Sequence, residues 1–294
     1  MRILFKSIAV AVFVCITVGA QSSNASLDRR VRAETAKLKG KVTVFAKNLD
    51  TGASYGLGQD ERVATASTIK VAIMVEAFAQ VAEGRVKWAD ELTLTKEKKV
   101  GGAGVLQDMS DGMKLTLREA VTLMIILSDN TATNLALDTL TCDAVNARMD
   151  ALGLKQTRAL RKVFGGGVSR AGEDAANKPF GLGVTTPREM VSLLEKLERG
   201  EAVSPQASRE MIAILKRQHD RRSIGRNMSG VEIASKSGAL DRLRSDVGII
   251  YSKRGRIAIA ITCNDLAEID WTEDNPAYHL MSRLSEIFID GLGK

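Results

Sequence analysis

Two hydrophobic periods alternate along the chain. Val42-Thr43-Val44-Phe45-Ala46 is a β-rich run, Asp50-Thr51-Gly52 is a turn signal, and Ala53 to Leu57 is a second run, so this stretch predicts a hairpin. Ahead of it, Leu27 to Leu38 reads as a helix that stops at Gly40. From Ala66 to about Arg199 apolar residues recur every three or four positions, as in Val71, Met74, Val75, Phe78 and Ala82. The same spacing returns in Leu117, Ala120, Val121, Met124 and Ile125. Near the end the period shortens again: Val231 to Ser235, Val247 to Tyr251 and Ile257 to Thr262 read as strands, and Pro276 to Ile289 as an amphipathic helix. Strands at both ends with helices between predict an α+β fold, one sheet completed by both termini and a helical lobe inserted into it. The expected division is 26–62 with 205–294 for the sheet domain and 63–204 for the helical domain, with a cleft where they meet.

A chain of 294 residues, 45% of them apolar, can bury one large core or two lobes sharing a cleft. The first residues differ from the rest: Met1-Arg2 and Lys6 are basic or precede a base, an apolar run follows from Ile8 to Val18, and Val18-Gly19-Ala20 offers small residues for cleavage. Residues 1–20 therefore read as an export signal. The run is shorter than the ~20 apolar residues needed to cross a bilayer core of ~30 Å, so no membrane span is expected in the mature chain. Cys15 lacks the small residues of a lipoprotein site before it. A secreted protein, periplasmic or extracellular, is expected, and in such an oxidising compartment Cys142 and Cys263 could pair; the sequence leaves that open.

His219 and His279 are the only histidines, and no CxxC or HExxH pattern occurs, which argues against a zinc hydrolase; neither metal nor cofactor is called for. The net charge of +7 comes from Lys and Arg interspersed with acids rather than from a basic stripe, so nucleic-acid binding gains no support.

Three short motifs carry chemistry. Ser67-Thr68-Ile69-Lys70 is an S-x-x-K tetrad at a helix start, whose spacing puts the hydroxyl and the amine on one face. Val71 and Met74 continue that face, so Lys70 should be buried, and burial lowers an amine's pKa toward that of a base. Ser128-Asp129-Asn130 follows the stripe of Leu117 to Ile125, with Ser128 expected on its inward continuation. Lys236-Ser237-Gly238 follows the strand Val231 to Ser235, where a lysine and a hydroxyl could hold a carboxylate and Gly238 lets a substrate approach the backbone. The amide of Ala239 could pair with that of Ser67 as an oxyanion hole. Each motif alone is commonplace: a cap with a solvated lysine, a helix boundary, a strand end.

In this order the three motifs are jointly specific. The chain resembles the class A serine β-lactamases and, more distantly, the penicillin-binding DD-peptidases. Ser128 to Leu135 (SDNTATNL) and Thr185-Thr186-Pro187 also look like family counterparts. The resemblance implies a helical domain set against an antiparallel sheet, and a small-molecule β-lactam substrate acylating Ser67. It also implies that Lys70 and Ser128 move protons and that Asn130, Lys236 and Ser237 position substrate. A monomer is expected.

The pattern departs from the family in the deacylation loop, where an E-x-x-L-N motif is replaced by Glu173-Asp174-Ala175-Ala176-Asn177. Glu173 keeps the Glu-to-Asn spacing and is the candidate water-activating base; the other reading is a solvated loop carboxylate, in which case the acyl-enzyme would stall. A carboxylate-binding arginine is sought among Arg221, Arg222, Arg242 and Arg244, with no spacing to single one out. Gly165-Gly166-Gly167 lacks the Lys-Ser/Thr of a phosphate loop and reads as a flexible loop beside the cleft.

Overall fold

The computed structural model describes residues 17–293, so the export signal expected over residues 1–20 lies outside the described residues except where the first helix begins. In chain order the elements are α1 (Thr17–Thr35), β1 (Lys41–Asn48), β2 (Ser54–Leu57), β3 (Val63–Ala64), α2 (Lys70–Ala82), β4 (Glu91–Thr93), β5 (Lys114–Thr116), α3 (Leu117–Ile126), α4 (Asn130–Leu140) and α5 (Cys142–Ala151). They continue with β6 (Arg158–Ala159), α6 (Arg170–Glu173), β7 (Gly183–Thr185), α7 (Pro187–Glu198), α8 (Pro205–Lys216), β8 (Glu232–Leu240), β9 (Leu243–Ser252), β10 (Gly255–Asn264) and α9 (Pro276–Leu292).

Strands from both ends of the chain form one antiparallel five-stranded sheet in the order β2-β1-β10-β9-β8. The central strand β10 shows why. Ile257, Ile259, Ile261 and Cys263 point to one face and pack with Leu27 and Val31 of α1 and Leu280, Leu284 and Phe288 of α9. Burying each isoleucine contributes about 1.5–3 kcal/mol. Ala258 and Ala260 point to the other face, where their small size lets α7 lie against β10 and β1. Both faces are covered, so this strand reads as an unbroken apolar run, although its pairing is antiparallel.

On the α7 side the helices form a second core around α2. Every residue from Lys70 to Gln80 is buried, so α2 has no wet face and is enclosed by α3, α4 and α5. Helix α3 starts at a capping box, Thr116 with Glu119. Asn275 caps α9, and Pro276 stands at its first turn.

The fold class is the one expected, with three local differences. Helix α1 runs from Thr17 to Thr35 rather than from Leu27 to Leu38. Lys236-Ser237-Gly238 lies inside β8, not after it: Ser237 pairs with Asp246 and Gly238 with Ser245, and the strand continues to Leu240. Its polar residues are buried rather than wet, so an alternation rule that equates polar with the strand end stops too early. Ser128 follows α3, which ends at Ile126, as expected, but it sits in the break before α4 with φ of 56° and so does not prolong the helical stripe. Cys142 and Cys263 are buried and unpaired. Among the described residues no helix is long and apolar enough to cross a membrane.

Candidate active site

A cleft of about 1480 Å³ opens between β8 and the helices, and Ser128, Asn130, Ser237, Gly238 and Ala239 are among its walls. Ala66 lines the cleft too, and Ser67 follows it in a 3-10 turn, Ala66–Ile69, that runs directly into α2. Ala66, the residue before it, has φ of 46°, a left-handed conformation that costs a non-glycine residue roughly 1–3 kcal/mol and is sustained only by its surroundings. The surroundings are β8: a Cβ on Gly238 would lie 2.8 Å from the Thr65 carbonyl oxygen and 3.0 Å from the Ser67 nitrogen. Only glycine allows the strand to lie this close to the Ser67 backbone.

Lys70 is wholly buried in the first turn of α2. Its Nζ donates to Ser128 O at 2.7 Å, Asn130 Oδ1 at 3.0 Å and Ser128 Oγ at 3.2 Å. The S-x-x-K and S-D-N motifs are thus joined through this one amine. Burial pushes the Lys70 pKa well below that of an ordinary lysine, the charge on Lys236 pushes it further, and Asp129 opposes both.

Asp129 is the buried cap that holds the S-D-N segment. It accepts from Ala132 N at 2.8 Å to start α4, and from Val105 N and Leu106 N at 2.7 and 2.9 Å to fasten the loop that precedes α3. A Cβ on Gly104 would fall 2.2 Å from the Asp129 carboxylate, and φ there is 105°, so the glycine is required twice over. Asn130 closes the same loop through Nδ2 to Gly101 O at 3.0 Å.

Lys236 is also fully buried, donating to Ser237 O at 2.7 Å. Burial lowers its pKa to about 8, against the pull of Asp246 and Asp220. Asp246, opposite Ser237 on β9, is pushed by burial to about 7, although a bond from Ser223 Oγ works the other way. Because this folded-state value lies above the ordinary 3.8, the stability Asp246 contributes is complete below about pH 4 and is lost as pH rises through about 7. Asp246→Asn is therefore expected to flatten the fall in Tm over that window, which thermal melts at a series of pH values will show; an unchanged slope would place the dependence elsewhere.

The four arginines separate once their partners are seen. Arg244 is buried, its guanidinium donating to Leu240 O at 2.5 Å, to Leu243 O at 2.7 Å and to Asp270 O, while stacking on Trp271. Arg221 donates to Ile233 O and Lys216 O at 3.2 and 3.0 Å. Arg242 is exposed at the cleft rim. Arg222 lines the cleft and grips Asp220, a residue the motif search passed over because nothing in its local sequence marks it.

The loop between β6 and β7 is where the expected site is not assembled. Glu173 ends the short helix α6, exposed, and its carboxylate makes no hydrogen bond or ion pair with any of the motif residues. Asn177 is buried but turned into its own loop, with Nδ2 donating to Ala171 O at 2.7 Å and Oδ1 accepting from Arg62. Among the loop residues that line the cleft is Val163, whose N–H donates to Asn134 Oδ1 at 2.9 Å and whose carbonyl accepts from Asn134 Nδ2 at 3.2 Å. Phe164 stands beside it, 72% exposed. Gly165, Gly166 and Gly167 all have positive φ, so they turn the chain there. Among the described residues no group of three His, Cys, Asp or Glu side chains is arranged to hold a metal ion.

Comparison with known proteins places this geometry. A β-lactamase from Sphaerobacter thermophilus DSM 20745 superposes with a TM-score of 0.79 at 28% identity, over 91% of this chain and 97% of that one. The structure of PBP-A gives 0.78 at 26%, over 90% and 95%. An acyl-enzyme complex of a PBP-A mutant with penicillin G gives 0.77 at 26%, over 90% and 96%. A comparison with curated proteins gives no match. The profile of the β-lactamase enzyme family matches residues 26–292, which takes in the sheet, the helices and all three motifs of the cleft, and the chain belongs to that family.

Proposed function

We propose that this chain is a serine enzyme of class A type, acylated by β-lactams on Ser67, and that it holds the acyl group rather than turning over rapidly. The observation that carries the acylation is the Lys70 amine, buried and in contact with Ser128 and Asn130. As a neutral base, Lys70 takes the proton of Ser67 Oγ, which forms an ester with the lactam carbonyl carbon. The lactam C–N bond breaks, and the proton reaches the departing nitrogen through Ser128. The amides of Ser67 and Ala239 face the oxyanion, and Asn130, Lys236 and Ser237 hold the substrate. The basic start and apolar run of the sequence support export.

Release is where the site favours one reading. A water is a poor nucleophile unless a carboxylate within hydrogen-bond reach takes its proton. The role of Glu173 as that base needs its carboxyl group beside Ser67, and Glu173 is exposed at the end of α6 with no bond to Lys70, Ser128 or Asn130, while Asn134 holds the backbone of Val163 at the cleft. This supports a penicillin-binding or DD-peptidase-like protein over a fast β-lactamase.

Mixing the protein with a chromogenic cephalosporin and following both colour and intact mass tests it. A stoichiometric burst with a persistent adduct is expected, and Glu173→Gln is expected to leave the adduct lifetime within about twofold. Steady turnover that Glu173→Gln slows by about a hundredfold, the scale of a general base, would restore Glu173 to the deacylation step.

A further inference from the structure

The end of the cleft that would receive a substrate carboxylate already contains one. Asp220 Oδ2 accepts from Ser237 Oγ at 3.0 Å and from Arg222 Nη2 at 3.0 Å, while Oδ1 accepts from Arg222 Nε at 2.9 Å and from the Arg222 amide at 3.1 Å. A hydroxyl of the K-S-G motif and a side-on guanidinium are what a recognised carboxylate would be expected to meet. The group is fixed rather than incidental. The Asp220 amide donates to the buried Gln218 at 3.2 Å, and the Arg222 guanidinium is stacked over Tyr278 at 4.9 Å. Burial works to raise the Asp220 pKa, but the bonds from Arg222 outweigh it and hold the carboxyl below its ordinary value, so it is an anion at neutral pH.

Among the described residues, most cations at this end of the cleft are already engaged. Arg221 and Arg244 are spent on backbone carbonyls, and buried Lys236 already faces two carboxylates, Asp220 and Asp246. Arg242 is exposed at the tip of the β8–β9 turn, beside Asp241. A second carboxylate brought to Ser237 would compete with Asp220 for the same hydroxyl, and like charges so placed repel in a partly buried site.

We infer that Asp220 is a built-in occupant of the carboxylate subsite, which adapts the cleft to acyl donors that present an uncharged ester or amide there in place of a free carboxylate. This rests on the reading of Ser67 as the acylated residue. The matching natural substrate class is a peptide whose carboxyl end beyond the scissile bond is blocked or continues as an amide, so that cleavage is internal rather than terminal. Asp220 acts here as a specificity-determining residue.

Acylation rates by benzylpenicillin and by its methyl ester, read by intact-mass spectrometry, test the inference. In the wild-type protein the ester is expected to acylate at least as fast as the acid. In Asp220→Asn, which keeps the shape and an acceptor oxygen, the acid-to-ester rate ratio is expected to rise tenfold or more. A wild-type protein that prefers the acid tenfold, or a smaller rise in the ratio, overturns the inference; the wild-type comparison holds even if the variant folds poorly. Absence of any adduct from either compound, in either protein, would overturn the Ser67 reading along with it.

Discussion

Ser67→Ala is expected to abolish the covalent penicillin adduct, a complete loss rather than a slowing. The proposed nucleophile belongs to one turn, Ala66–Ile69, whose Ala66 lines the cleft, and the serine hydroxyls of the other two motifs are committed elsewhere. Ser128 Oγ lies 3.2 Å from the Lys70 amine, and Ser237 Oγ donates to Asp220 at 3.0 Å. Removing Oγ also relieves nothing structural, since the positive φ belongs to Ala66 and the close approach belongs to Gly238. Folding should therefore be retained, and a Tm near that of the wild type will show that the loss is chemical. Intact-mass spectrometry after incubation with benzylpenicillin reads the result. An adduct of undiminished yield on the folded variant would move the nucleophile to another residue.

Most of the architecture was written in the hydrophobic pattern because the core demands it. The isoleucines of β10, the cap and proline of α9 and the apolar positions of α2 each bury what the sequence marks as apolar. The cleft was legible as motifs but not as geometry, in large part because several of its polar residues, Lys70, Asp129, Lys236 and Ser237, are buried. Lys236 and Ser237 read as the end of a strand because polarity usually means solvent, whereas they lie in the middle of β8. Ser128 reads as the inward continuation of the α3 stripe, yet it takes a left-handed conformation that the helical spacing does not foresee and that only tertiary contacts sustain. Glu173 was chosen by its spacing to Asn177, and spacing within a loop does not fix which side chain turns inward. The stretch held at the cleft is that of Val163, whose backbone is bonded to Asn134, 29 positions earlier and invisible to any local rule. Asp220 was missed for the same cause: its meaning comes from Ser237, on a different element.

The second large effect is expected at Lys70. If its neutral amine takes the Ser67 proton, Lys70→Ala should slow acylation by about a hundredfold or more, the usual scale of general acid–base catalysis. A structural lysine would give a different result, because the substitution removes a buried cation whose desolvation is costly and leaves Ser128 O and Asn130 Oδ1 to find other donors. A merely structural role would therefore show in Tm and not in the rate of a correctly folded variant. The pH profile separates the two further. A base works only when unprotonated, so acylation should fall as pH drops through the Lys70 pKa, which burial and then the charge of Lys236 hold well below the ordinary lysine value. Lys236→Ala deletes that neighbouring charge, so the Lys70 pKa should rise and the acid limb of the acylation profile should move to higher pH. Stopped-flow labelling of wild type, Lys70→Ala and Lys236→Ala across pH reads all three. An acid limb that stays in place when Lys236 is removed would mean that another group takes the proton, and a wild-type rate in folded Lys70→Ala would remove Lys70 from the chemistry altogether.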